Sequence, residues 1–68
     1  MEIYKGQRLR LSPVCLVDFM GRVIRMNNTW PCRVVYINRK HRWYTVEFEF
    51  PGGMVRESFK LEAGDWFD

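Results

Sequence analysis

The run from Trp43 to Phe50 sets Tyr44, Val46, Phe48 and Phe50 on one side of an extended chain and Thr45, Glu47 and Glu49 on the other. Successive side chains of a strand point to opposite faces, so this period of two defines a strand with one apolar and one wetted face. Pro51-Gly52-Gly53 follows, one fixed φ and two residues that tolerate positive φ, and Met54 to Phe59 then resumes the alternation. The two runs form a hairpin. A Gly52-Gly53 loop pairs Phe50 with Val55 and Val46 with Phe59, whereas a Pro51-Gly52 loop moves each partner by two. Either loop keeps Val55, Glu57 and Phe59 on the apolar face, because only a slip by one turns a strand inside out.

Upstream, Arg33-Val34-Val35-Tyr36-Ile37 is rich in β-branched and aromatic residues, and the polar tip Asn38-Arg39-Lys40-His41-Arg42 joins it to the Trp43 strand. Gly21 to Met26 reads as another strand, ended by Asn27-Asn28-Thr29 and by Trp30-Pro31, where proline argues against a central-strand position. Gly6 to Leu11 alternates basic with apolar residues and stops at Ser12-Pro13, which makes it the first strand. Between these, Val14 to Met20 is apolar without clean alternation, a strand extension or a packed loop. No stretch shows helical spacing over ten residues or more.

Five short strands within 68 residues point to a single all-β domain, an antiparallel barrel that closes its own edges. Its core spans about residues 5–60, followed by a short aromatic and acidic tail, 61–68, whose Trp66 and Phe67 offer apolar area for docking on the sheet. A strand opening at Gly6, a long first loop through Asp18 and Phe19, a strand start at Gly21-Arg22-Val23 and three meandering strands after it resemble the SH3-like small barrels, the Tudor and KOW groups among them. That resemblance rests on strand count and loop length over about residues 5–60, and no diagnostic motif accompanies it.

A chain of this length is too short for a dinucleotide-binding fold or a TIM barrel, and 47% hydrophobic with 16% aromatic residues argues against disorder. The first residues run directly into charge, and no apolar run reaches the eighteen or so residues of a membrane span. The reading is a cytoplasmic domain, monomeric or weakly dimeric, with no membrane partner. Cys15 and Cys32 are two cysteines where a secreted domain of this size usually carries four or more, so both are read as free thiols.

Catalysis has little to stand on. The one histidine, His41, sits among three cations with no serine or cysteine beside it, which suits a solvated turn better than a general base. Cys15, Cys32, His41 and Asp18 lack the paired spacing of a zinc site. No catalytic residue, cofactor or metal is assigned. Glu57, on the face of Val55 and Phe59, is a structural carboxylate that requires a partner when covered.

Charge is distributed unevenly. Residues 1–42 hold nine basic side chains against two acidic ones, and residues 43–68 hold two basic against six acidic. One explanation is that opposite charges face each other across neighbouring strands. The other, and the leading functional reading, is a nucleic-acid-binding face. Arg39, Lys40, His41 and Arg42 lie between Tyr36 and Trp43, joining phosphate-binding charge to rings on which bases stack. Arg8 and Arg10 on the first strand and Arg22 and Arg25 on the second would extend it. The close alternative is protein recognition anchored by Phe19, Trp30, Trp66 and Phe67. A Tudor-like aromatic cage for a methylated cation would draw on Trp30, Phe19, Trp43 and Tyr44, although the parity of Tyr44 turns it inward.

If the strand from Trp43 to Phe50 faces the core as its alternation requires, Phe48→Ala destabilises the domain by about 3–5 kcal/mol, enough to unfold it. Urea denaturation followed by circular dichroism tests this, and a stable Phe48→Ala variant would mean the sheet is inside out.

Overall fold

The computed structural model describes residues 1–13 and 29–68 in full, and the strand backbone at 16–17 and 23–24. Among these residues the chain is all-β, with eight strands: β1 (Glu2–Ile3), β2 (Arg8–Leu11), β3 (Leu16–Val17), β4 (Val23–Ile24), β5 (Trp30–Asn38), β6 (Trp43–Phe50), β7 (Gly53–Lys60) and β8 (Trp66–Phe67). Strands β2-β5-β6-β7 form one four-stranded antiparallel sheet. β3 and β4 pair as a short antiparallel hairpin, and β1 pairs with β8 in parallel. No described helix is long and apolar enough to cross a membrane.

The alternation of β6 is realised in full. Tyr44, Val46 and Phe48 are buried and Phe50 is half-buried, while Glu49 is exposed. β7 pairs in the register of a Pro51-Gly52 loop, with Phe50 opposite Gly53, Phe48 opposite Val55, Val46 opposite Glu57 and Tyr44 opposite Phe59. The turn is Pro51-Gly52, and Gly53, which opens β7 opposite Phe50, takes φ 139°, a conformation that L side chains rarely adopt. Glu57 lies on the inner face, half-buried and engaged in an interaction of its own.

Inner-face rings form a continuous file. Trp30 meets Phe50 edge-on at 5.1 Å, Phe50 stacks on Phe48 at 5.6 Å, and Phe48 meets Phe59 at 6.3 Å. Phe59 in turn lies 6.1 Å from Tyr44, which meets Phe67 at 6.4 Å. Such pairs contribute about 0.5–1.5 kcal/mol each beyond simple burial. Ile3, Cys32 and Val34 complete the buried set, with Leu9, Leu11, Ile37 and Leu61 packed around it.

Three expectations need correction. Among the described residues the sheet is not a closed five-stranded barrel: β2 and β7 stand at its two ends without a shared ladder. Part of the second layer that closure would provide comes instead from the β1–β8 ribbon, whose Ile3 is fully buried and whose Phe67 packs on the core. Pro31, read as a strand terminator, lies inside β5. It pairs with Arg10 of β2, but the β6 ladder begins only at Cys32, so β5 has a neighbour on one side there and proline's missing N–H leaves no gap in a second ladder. Finally, β2 begins at Arg8, because Gly6 belongs to a turn.

The least expected feature is a bulge in β5. Val34 pairs with Val46 and Tyr36 with Thr45, so Val35 and Tyr36 together oppose a single residue of β6. The inner face therefore runs Cys32, Val34, Ile37, switching from even to odd numbers, and Tyr36 emerges on the outer face.

Burial raises the pKa of the Tyr44 phenol, with the carboxylates of Asp65 and Glu62 adding to the effect. The folded protein thus holds this proton more tightly than the unfolded chain. Its contribution is intact below the ordinary phenol value of about 10 and is lost as pH rises through the folded value. Urea midpoints are expected to fall between pH 8 and pH 11, and to fall less in Tyr44→Phe.

Candidate nucleic-acid interface

The β5–β6 connection is a four-residue loop, Arg39 to Arg42, closed by the pair Asn38–Trp43. Its conformation is built locally. The Asn38 Oδ1 accepts a hydrogen bond from the His41 backbone N–H at 2.9 Å, an Asx-type turn, and Arg42 closes the loop at φ 59° in the left-handed region. The Arg42 carbonyl accepts from the Leu61 N–H at 2.9 Å, which ties the loop to the chain leaving β7.

All four loop residues are exposed, and among the described residues none of them forms an ion pair. Arg39 is held from below, its guanidinium carbon 6.0 Å from the centre of the Phe67 ring, within cation–π range. Behind the loop, on the outer face, Tyr36 packs on Trp43 with ring centroids 5.3 Å apart, and Lys60 of β7 sits directly across from Trp43. Tyr36 is 51% exposed, so the aromatic pair forms a platform open to solvent and bordered by cations.

The structure divides the expected basic face. Arg39, Lys40, His41, Arg42 and Trp43 are together at one tip. Arg8 and Arg10 are on the same outer face, but Arg8 pairs with Arg33, six residues before Arg39 and about 20 Å along the strand. There the carboxylates of β6 lie among the cations of its neighbours. Arg8 approaches Glu49 at 3.7 Å, Arg56 bonds Glu47 at 2.9 Å, Arg33 stands opposite Glu47, and Arg10 donates to the Thr29 carbonyl at 3.1 Å. Cross-strand compensation thus accounts for the β2 end of the face and leaves the tip uncompensated. Arg22 and Arg25 lie outside the described residues.

The aromatic anchors of the protein-binding alternative also separate. Trp30 is half-buried against Phe50 and Phe67 half-buried against Tyr44, whereas Trp66 is 54% exposed. Phe19 lies outside the described residues. The three described candidates for an aromatic cage do not converge: Trp30 and Tyr44 are on the inner face and Trp43 is on the outer one, as strand alternation dictates.

Tyr4 and Lys5 join the tip without having been marked by any charge or aromatic run. Tyr4-Lys5-Gly6-Gln7 is a β-turn, with the Gln7 N–H donating to the Tyr4 carbonyl at 3.2 Å and Gly6 at φ 91°. The Gln7 side chain fixes it further, accepting from the Tyr4 N–H at 3.1 Å and donating to the Glu2 carbonyl at 3.0 Å. Gly6 N–H donates to Val34 and Val34 N–H to Gln7, so the turn is docked where β5 bulges. A glycine two residues after an aromatic was the available signal.

Searched against protein-family models, curated proteins and solved structures, the chain matches none.

Because Gly6 holds a positive φ with open space around its α-carbon, Gly6→Ala costs backbone strain and no clash, about 1–2 kcal/mol in urea unfolding. Gly6→Asn is expected to cost less, since asparagine enters this region more readily.

Proposed function

We propose that the protein is a non-enzymatic module that binds nucleic acid through the β5–β6 tip. One observation carries this reading: Arg39, Lys40 and Arg42 are exposed cations without acidic partners among the described residues, set beside an open Tyr36–Trp43 platform. Uncompensated cations bind phosphates by displacing condensed counterions, and exposed rings stack on bases. The remaining basic strand residues, Arg8 and Arg10, add long-range attraction but are already engaged with Glu49 and Thr29. Action is by binding without turnover, in a cytoplasmic setting consistent with so few cysteines, and as a monomer or weak dimer. Kinship with the SH3-like barrels belongs to this proposal, supported by the β5-β6-β7 meander.

Protein recognition is the second reading, and the exposed ring of Trp66 favours it. Ionic strength separates the two, because phosphate binding weakens steeply with salt and an aromatic anchor does so far less.

Changing Arg39, Lys40 and Arg42 together to alanine is expected to abolish binding of single-stranded oligonucleotides while leaving the circular dichroism spectrum intact. Residual binding should lose about 2 from its log–log salt slope. Unchanged affinity in fluorescence anisotropy would remove the tip from the interface.

A further inference from the structure

Beside the tip, Tyr4, Lys5, Tyr36, Ile37, Arg39 and Asp68 line a cleft of about 420 Å³. Its size falls within the roughly 300–1,000 Å³ typical of small-ligand clefts. Its walls come from backbone segments that are tied down. Tyr4 and Lys5 come from the glycine turn and Tyr36 from the β5 bulge, while Arg39 rests over Phe67. The Asp68 backbone is pinned by its N–H to the Ile3 carbonyl at 3.0 Å. Two rings are largely open, Tyr4 at 45% and Tyr36 at 51% exposure. Two tyrosines, two cations and a carboxylate thus surround one concavity, and neither cation is ion-paired with Asp68.

We propose that this cleft seats one unpaired nucleotide, its base against Tyr4 and Tyr36, its phosphate on Lys5 and Arg39, and its Watson–Crick edge read by the Asp68 carboxylate. The inference rests on the nucleic-acid reading of the tip and adds both strand state and base preference. A base inside a duplex presents neither a free face nor a free Watson–Crick edge, so the ligand is single-stranded. An ionised carboxylate only accepts hydrogen bonds. Guanine places two adjacent N–H donors on its Watson–Crick edge, whereas uracil sets its single N–H between two carbonyl oxygens that a carboxylate repels. The cleft therefore prefers guanine to uracil.

Fluorescence anisotropy with the pentanucleotides UUGUU and UUUUU and with a blunt RNA duplex, at about 50 mM salt, tests this. The wild-type protein is expected to bind UUGUU about tenfold more tightly than UUUUU, and the duplex more weakly than either. Tyr4→Ala and Tyr36→Ala each weaken UUGUU by about tenfold. Asp68→Asn removes the preference for guanine while binding of UUUUU stays the same or tightens. Equal affinity for the two pentanucleotides, or tighter binding of the duplex, with binding still lost in the triple tip variant, would overturn the cleft and leave the tip reading standing. No salt-sensitive binding of any of the three would overturn both.

Discussion

Burial of β6 is the constraint on which the rest of this structure depends. Its apolar face is flanked on both sides by hydrogen-bonded neighbours, and Val46 and Phe48 are inaccessible to solvent. The ring of Phe48 touches those of Phe50 and Phe59 and sits across from Cys32, so one side chain connects three strands. A domain of this size has few such positions, and its net stability is of the same order as the loss of one large core residue. Everything on the outer face, the tip included, is held in place by what this strand buries.

That the sheet would be read correctly from β6 and β7 follows from the physics of alternation. Tyr44, Val46, Phe48 and Phe50 declare their face without help from any distant residue, and an odd slip against β7 would have turned Val55 and Phe59 away from that face. Barrel closure was not legible in the same way. It was inferred from the need to protect edges, but the ribbon of Glu2–Ile3 with Trp66–Phe67 depends on residues that meet only after the chain has folded back on itself, and no local pattern marks that meeting. Pro31 misled for a related reason: whether a missing N–H matters depends on how many neighbours the strand has at that point.

The candidate site was legible as chemistry and only partly as geometry. The run Arg39 to Arg42 announced itself, and the structure keeps it together. Arg8 and Arg10 carry the same charge yet are engaged elsewhere, Arg8 with Glu49 and Arg10 with Thr29, a fact of placement that composition cannot reveal. Tyr36 is the sharpest case. By strict alternation it belongs with Trp30, Cys32 and Val34 on the inner face, and the single extra residue at Val35 turns it outward onto Trp43. Bulges are invisible to period counting because they are interruptions of the period.

The parallel ribbon of β1 and β8 has a bearing on the order of assembly. It joins residues such as Met1 and Asp65 that are 64 positions apart, whereas the β5–β6 and β6–β7 hairpins close across a few residues. Loop-closure entropy makes the local hairpins form readily and leaves the longest closure until other contacts have shortened it. Tyr4, Lys5 and Asp68 belong to that last closure, and Arg39 to the first. The tip is thus in place early, while the cleft beside it exists only when the whole chain has finished folding.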